Sequence, residues 1–110
     1  MSLQVRVTGR AERDADRIFL WLEARSSDGA RRWYEVYLST LRDLPARAAG
    51  CGTAPEAERL GMNLRQVLFK TRKGRMCRAL FVIVQSTIHV VAVRGAGQDL
   101  ATADELELPD

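Results

Sequence analysis

Long apolar stretches are missing from this sequence, acidic residues are missing from one third of it, and histidine is nearly missing altogether. The longest unbroken apolar run, Ala79 to Val84, has six members, where a membrane-spanning helix needs about 20. A transmembrane helix is therefore not expected. A single histidine, His89, and two cysteines far apart in the chain, Cys51 and Cys77, form neither a C-x-x-C pair nor a four-ligand set. No metal site, no cofactor and no disulfide framework follow from them. The start of the chain carries no basic region leading into an apolar stretch and a small-residue cleavage site. The expected compartment is the cytoplasm, without membrane contact.

What is present is globular in character. The 110 residues are 46% apolar and 28% charged, which suits one domain with one core and argues against a disordered chain. No internal repeat is visible. Of the 17 basic residues, 15 are arginine, whose guanidinium forks grip phosphate or carboxylate bidentately.

The formal net charge is +3, but it is unevenly spread. Residues 65–98 hold seven basic side chains (Arg65, Lys70, Arg72, Lys73, Arg75, Arg78 and Arg94) and no acid, whereas residues 99–110 hold five acids and no base. The basic segment predicts a surface for an anionic partner, felt within a Debye length of about 8 Å. The partner is nucleic acid, an acidic protein, or the chain's own acidic tail.

Gln4 to Val7 alternates with the period of a strand, Val5 and Val7 facing inward. Thr8 and Gly9 open a helix over 10–25, whose face is Ala15, Ile18, Phe19 and Leu22, with Leu20 and Trp21 widening the stripe. Ser26 to Gly29 breaks it, and Ala30, Tyr34, Tyr37, Leu41 and Leu44 mark a second helix that Pro45 is expected to stop at Leu44. Trp33, Tyr34 and Tyr37 are expected in the core. The two helices should form a hairpin. A short helix between Thr53 and Gly61 interrupts an irregular connection. Strands follow at 64–70, 77–84 and 87–94, with a basic turn around Gly74. A two-residue turn at Gln85-Ser86 places Arg78 opposite Val93, and a slip of one residue pairs Arg78 with Arg94; both registers stay open. Residues 99–106 form a short closing helix or tail. The order β-α-α-β-β-β predicts an α+β fold, with a mainly antiparallel four-stranded sheet packed against a helical hairpin.

The segment "VTGRAERD" at the first helix, and above all "APEAERLGMNLRQVLFKTRKGRMCRALFVIVQSTIHVVAVRGAGQDLATADEL", resemble the RelE/ParE superfamily of type II toxin–antitoxin toxins, also called plasmid stabilisation proteins. The resemblance covers nearly the whole chain. Arg65, Arg78 and Arg94 match the three arginines of the family strands in order and spacing. It implies a toxin that arrests growth when released from a cognate antitoxin. Two positions depart from the pattern: Cys77 stands where tyrosine is common and Gly95 where histidine often follows the third arginine.

Three functions are compatible with the resemblance. A RelE-like endoribonuclease cutting ribosome-bound mRNA needs a base, an acid and cations around the phosphate. Arg65, Arg78 and Arg94 are candidate catalytic cations, but arginine, with a pKa above about 12, is a poor acid, and His89 reads as a strand residue. A ParE-like poison of DNA gyrase needs only shape and charge, and is the favoured expectation. A decayed toxin that still binds antitoxin is the third. In each case Arg65, Lys70, Arg72, Lys73, Arg75, Arg78 and Arg94 are the expected anion- and partner-binding groups.

Overall fold

The computed structural model describes residues 3–109. Strand β1 (Gln4–Val7) leads into helix α1 (Gly9–Glu23), a turn, and helix α2 (Ser27–Arg47), which ends in a 3-10 turn at Ala48–Gly50. Helix α3 (Glu56–Leu60) precedes strands β2 (Arg65–Phe69), β3 (Cys77–Val84) and β4 (Thr87–Arg94), and a last 3-10 turn spans Ala103–Glu105. The fold is α+β. Its sheet runs β1-β4-β3-β2, with β1 parallel to β4 and the other two pairings antiparallel.

Local chemistry explains the ends of the elements. The Thr8 hydroxyl accepts from Ala11 N and donates to the Val90 carbonyl, so one side chain caps α1 and pins it to β4. Ser26 Oγ accepts from Gly29 N at 3.0 Å to cap α2. Gly61 closes α3 in the left-handed region at φ 65°, where glycine alone is comfortable.

Helix α2 does not stop at Leu44. Its ladder resumes across Pro45, with Ala48 N donating to Leu44 O, and it ends at Arg47. Proline so near a helix end removes little, and the fully buried Leu44 side chain fixes the turn in place. Leu20 and Trp21 do not widen the buried stripe either, being 60% and 57% exposed. They sit about 100° to 200° round the helix from Phe19, away from the Ala11-Ala15 line that meets the sheet. Tyr34, also expected in the core, is exposed and touches Phe19 edge-on.

The sheet has two covered faces. Toward the helices, Val67, Phe69, Ala79, Phe81, Ile88 and Val90 pack with Trp33, Tyr37 and Leu44, and the Trp33, Tyr37 and Phe69 rings lie 5.5 to 5.8 Å apart. On the other face Leu80, Val91 and Ala92 are covered by α3 and by Ala101 and Leu106 of the C-terminal segment. That segment thus fills the place of a helix. Asp110, the last of its acids, lies outside the described residues.

Both expected hairpin registers occur. Val84 pairs Thr87 across the Gln85-Ser86 turn, but pairing jumps from Phe81↔Val90 to Leu80↔Ala92, so that Arg78 faces Arg94. Val91 is the extra residue of a β-bulge. Its carbonyl accepts from Glu107 N, which stitches the tail to the sheet.

β1 reaches only as far as Val90 along β4. Beyond it β1 supplies no partner, and Val93 N donates instead to Asp14 Oδ2 at 3.0 Å. Asp14, 3% exposed, is held in turn by Arg10 Nε. Replacing Asp14 with Ala orphans a buried amide, and we expect a loss of about 1 to 3 kcal/mol in urea unfolding, with faster hydrogen exchange at Val93. Wild-type stability in the variant would contradict this role.

Candidate functional site

Register decides where the arginines point. Arg65 pairs Phe81, an inward residue, so it lies on the helix side of the sheet; Arg78 and Arg94 face each other on the opposite side. The three do not share one open surface. Each is also engaged within the chain.

Arg65 Nη1 donates to the Ala48, Ala49 and Cys51 carbonyls at 3.3 to 3.5 Å, where α2 and its 3-10 turn end. A cation there is matched to the negative end of the helix. Arg78 forms a bidentate pair with Glu56 at 2.8 and 2.7 Å and also donates to Gln66 Oε1. Arg94, 5% exposed, donates to the Asp99 carbonyl and lies 3.4 Å from Glu105. The expected anion surface at Arg78 and Arg94 is therefore filled by the chain's own α3 and acidic tail.

Glu56 is fully buried. Burial by itself would raise its pKa, but hydrogen bonds from Arg78, from Ala101 N and from its own backbone, with the Arg78 charge, bring it down to about 2. The carboxylate is ionised in the folded chain at every ordinary pH.

The remaining basic groups assemble elsewhere. A cleft of about 790 Å³ opens at the end of the sheet between the helical hairpin and the turn joining β2 to β3. Arg17, Arg25 and Arg32 reach it from the helices, and Arg72, Lys73 and Arg75 from the turn. Ile18, Leu22, Trp33, Cys77 and Val93 contribute apolar lining, and Asp14, already bonded to Arg10 and Val93, is its one acid among the described residues. Thr71 Oγ1 packs closely against Gly74 in this turn, where a Cβ would require the hydroxyl to rotate away. Of the expected site residues the cleft thus gathers Arg72, Lys73 and Arg75. Lys70 is exposed at the end of β2 and does not line it.

Arg17, Trp21 and Arg25 were legible as a helical stripe at spacings of four, but they fall on a face that the core periodicity ignores. Arg25 lies over the Trp21 ring at 3.6 Å, a cation–π contact. Cys77 and Gly95, the two departures from the family pattern, both border this cleft. No histidine and no tyrosine is among the residues that line it. Tyr37 is held well above the ordinary phenol range, by burial first and by neighbouring Tyr34 and carboxylates after it. Among the described residues no group of His, Cys, Asp and Glu is placed to hold a metal ion, and no helix is long and apolar enough to cross a membrane. No protein-family model matches this chain, and no curated protein does either.

The Glu56–Arg78 pair gives a pH prediction. A carboxyl at about 2 when folded, against an ordinary 4.5, adds stability that is fully present above pH 4.5 and is lost as pH falls toward 2, by about 3 kcal/mol in all. Urea unfolding between pH 7 and 2 should show this fall in the wild type and its absence in Glu56→Gln. Glu56→Ala, which leaves Arg78 without its partner, should cost about 3 to 5 kcal/mol at pH 7.

Proposed function

We propose that the chain is the toxin of a type II toxin–antitoxin pair with a RelE/ParE-like fold, acting by docking on its target in the manner of a ParE-like gyrase poison. The observation that carries this reading is the cleft itself: six cations around an apolar floor, with Cys77 and Gly95 at the positions where the resembled family supplies tyrosine and histidine. Such a site attracts and holds an anionic partner. It offers no acid–base pair for cutting a phosphodiester.

Two further features support the reading. A helical hairpin packed against a four-stranded sheet is compatible with the reading, although a third short helix, α3, stands between α2 and β2. Arg78 and Arg94, the cations a RelE-like endoribonuclease would turn toward the scissile phosphate, are consumed by Glu56, Glu105 and the Asp99 carbonyl. mRNA cleavage is therefore the less favoured activity. The partner in the resting state is the cognate antitoxin, and an acidic segment of it would meet the cations of the cleft.

Induction of the chain in a bacterial host should arrest growth with gyrase-linked double-strand breaks and intact transcripts. Transcript cuts within codons would instead identify the endoribonuclease, and normal growth at good expression a decayed toxin. The triple variant Arg72→Ala, Lys73→Ala, Arg75→Ala, confined to an exposed turn, should relieve the arrest. Antitoxin affinity, measured by calorimetry, should weaken from low to high salt.

A further inference from the structure

Both tryptophans of the chain, Trp21 and Trp33, line the cleft. Trp21 has more than half of its surface in solvent, with one ring face under the Arg25 guanidinium. A large ring left so open has no packing role, and its other face is available for a flat partner. Trp33 is buried to 4% exposure, yet its indole N–H meets no acceptor among the described residues. Next to these rings the turn presents Arg72, Lys73 and Arg75 within four consecutive positions. Closely spaced cations of this kind match linked phosphates rather than a single carboxylate.

Six basic groups are gathered at one concavity. Arg78 and Arg94, which would have to extend the charge across the sheet for a long strand to follow, are neutralised by the chain itself. The cleft volume, about 790 Å³, falls in the range of small-ligand sites of about 300 to 1,000 Å³.

We infer that this cleft binds a nucleoside polyphosphate, its base stacked on Trp21 and its phosphates on Arg72, Lys73 and Arg75. The inference rests on the cleft being the working surface of the proposed toxin, and it names a ligand of that surface. A purine ring supplies the flat face for Trp21. The polyphosphate supplies negative charge where the turn is positive.

Because no other tryptophan exists, fluorescence excited selectively at tryptophan comes only from these two residues, of which Trp21 is the one exposed in the cleft. Titration with ATP should quench it saturably, and inorganic tripolyphosphate should bind about tenfold more weakly for want of a base. By calorimetry, Trp21→Ala and Lys73→Ala, both at exposed positions that leave the fold intact, should each weaken ATP binding several-fold; matching thermal unfolding curves confirm that intactness. Tripolyphosphate binding as tightly as ATP would reduce the cleft to an unspecific basic patch and overturn the inference. So would an absence of ATP binding, or ATP affinity unchanged in Trp21→Ala. A thymidine oligonucleotide that displaces ATP and binds more tightly would assign the site to a strand, and a polyglutamate peptide that does so would assign it to an acidic protein; either result overturns a free nucleotide. These measurements are made in vitro and do not use growth as a readout. A chain that arrests growth but binds no ATP leaves the toxin reading standing, and a chain that binds ATP without arresting growth defeats that reading alone.

Discussion

A carboxylate with no exposed surface is tolerable only if a cation and hydrogen-bond donors replace its water completely. Glu56 meets that demand by drawing together parts of the chain that are remote in sequence: its own short helix, Arg78 on a central strand, and the backbone of Ala101 in the closing segment. Arg59, on the same helix, donates to the Ala101 carbonyl from the other side. The outer layer of the sheet is organised round this pair. A five-residue helix and a nearly structureless tail would otherwise have little reason to stay on Leu80, Val91 and Ala92.

The same pair redirects the electrostatics of the molecule. Residues 65–98 carry only basic charge, and a linear reading spreads it over one surface. In three dimensions the strand pleat sends Arg65 to one side and Arg78 and Arg94 to the other, and acids from before and after the segment come back to meet the latter two. What stays available is the turn, and it faces cations from helices some 40 to 60 positions earlier. Net charge alone does not reveal where an anion would bind.

Much of the architecture was readable from local signals, because the chain is locally consistent. Strand alternation, the Thr8 and Ser26 caps, the helix stop at Gly61 and the three late strands all appear where their residue types put them. The failures have separate causes. Pro45 is outweighed by the burial of Leu44, which no local rule weighs. The bulge at Val91 has no distinctive residue to announce it, so the choice between registers was not available from the sequence. Asp14 looks like any surface acid of an amphipathic helix until β1 proves too short to cover β4. Trp21 reads as a widening of the apolar stripe of α1, and its place beside Arg17 and Arg25 follows only once the sheet fixes which side of the helix is inside.

The sheet order also bears on biosynthesis. Strand β1 pairs only with β4, far along the chain, and the second layer is closed by residues beyond 100. A growing chain that has completed its helical hairpin has no sheet to pack it against until β2, β3 and β4 have followed, and a fragment that stops short of β4 leaves β1 without a partner. Assembly proceeds through contacts of long sequence separation.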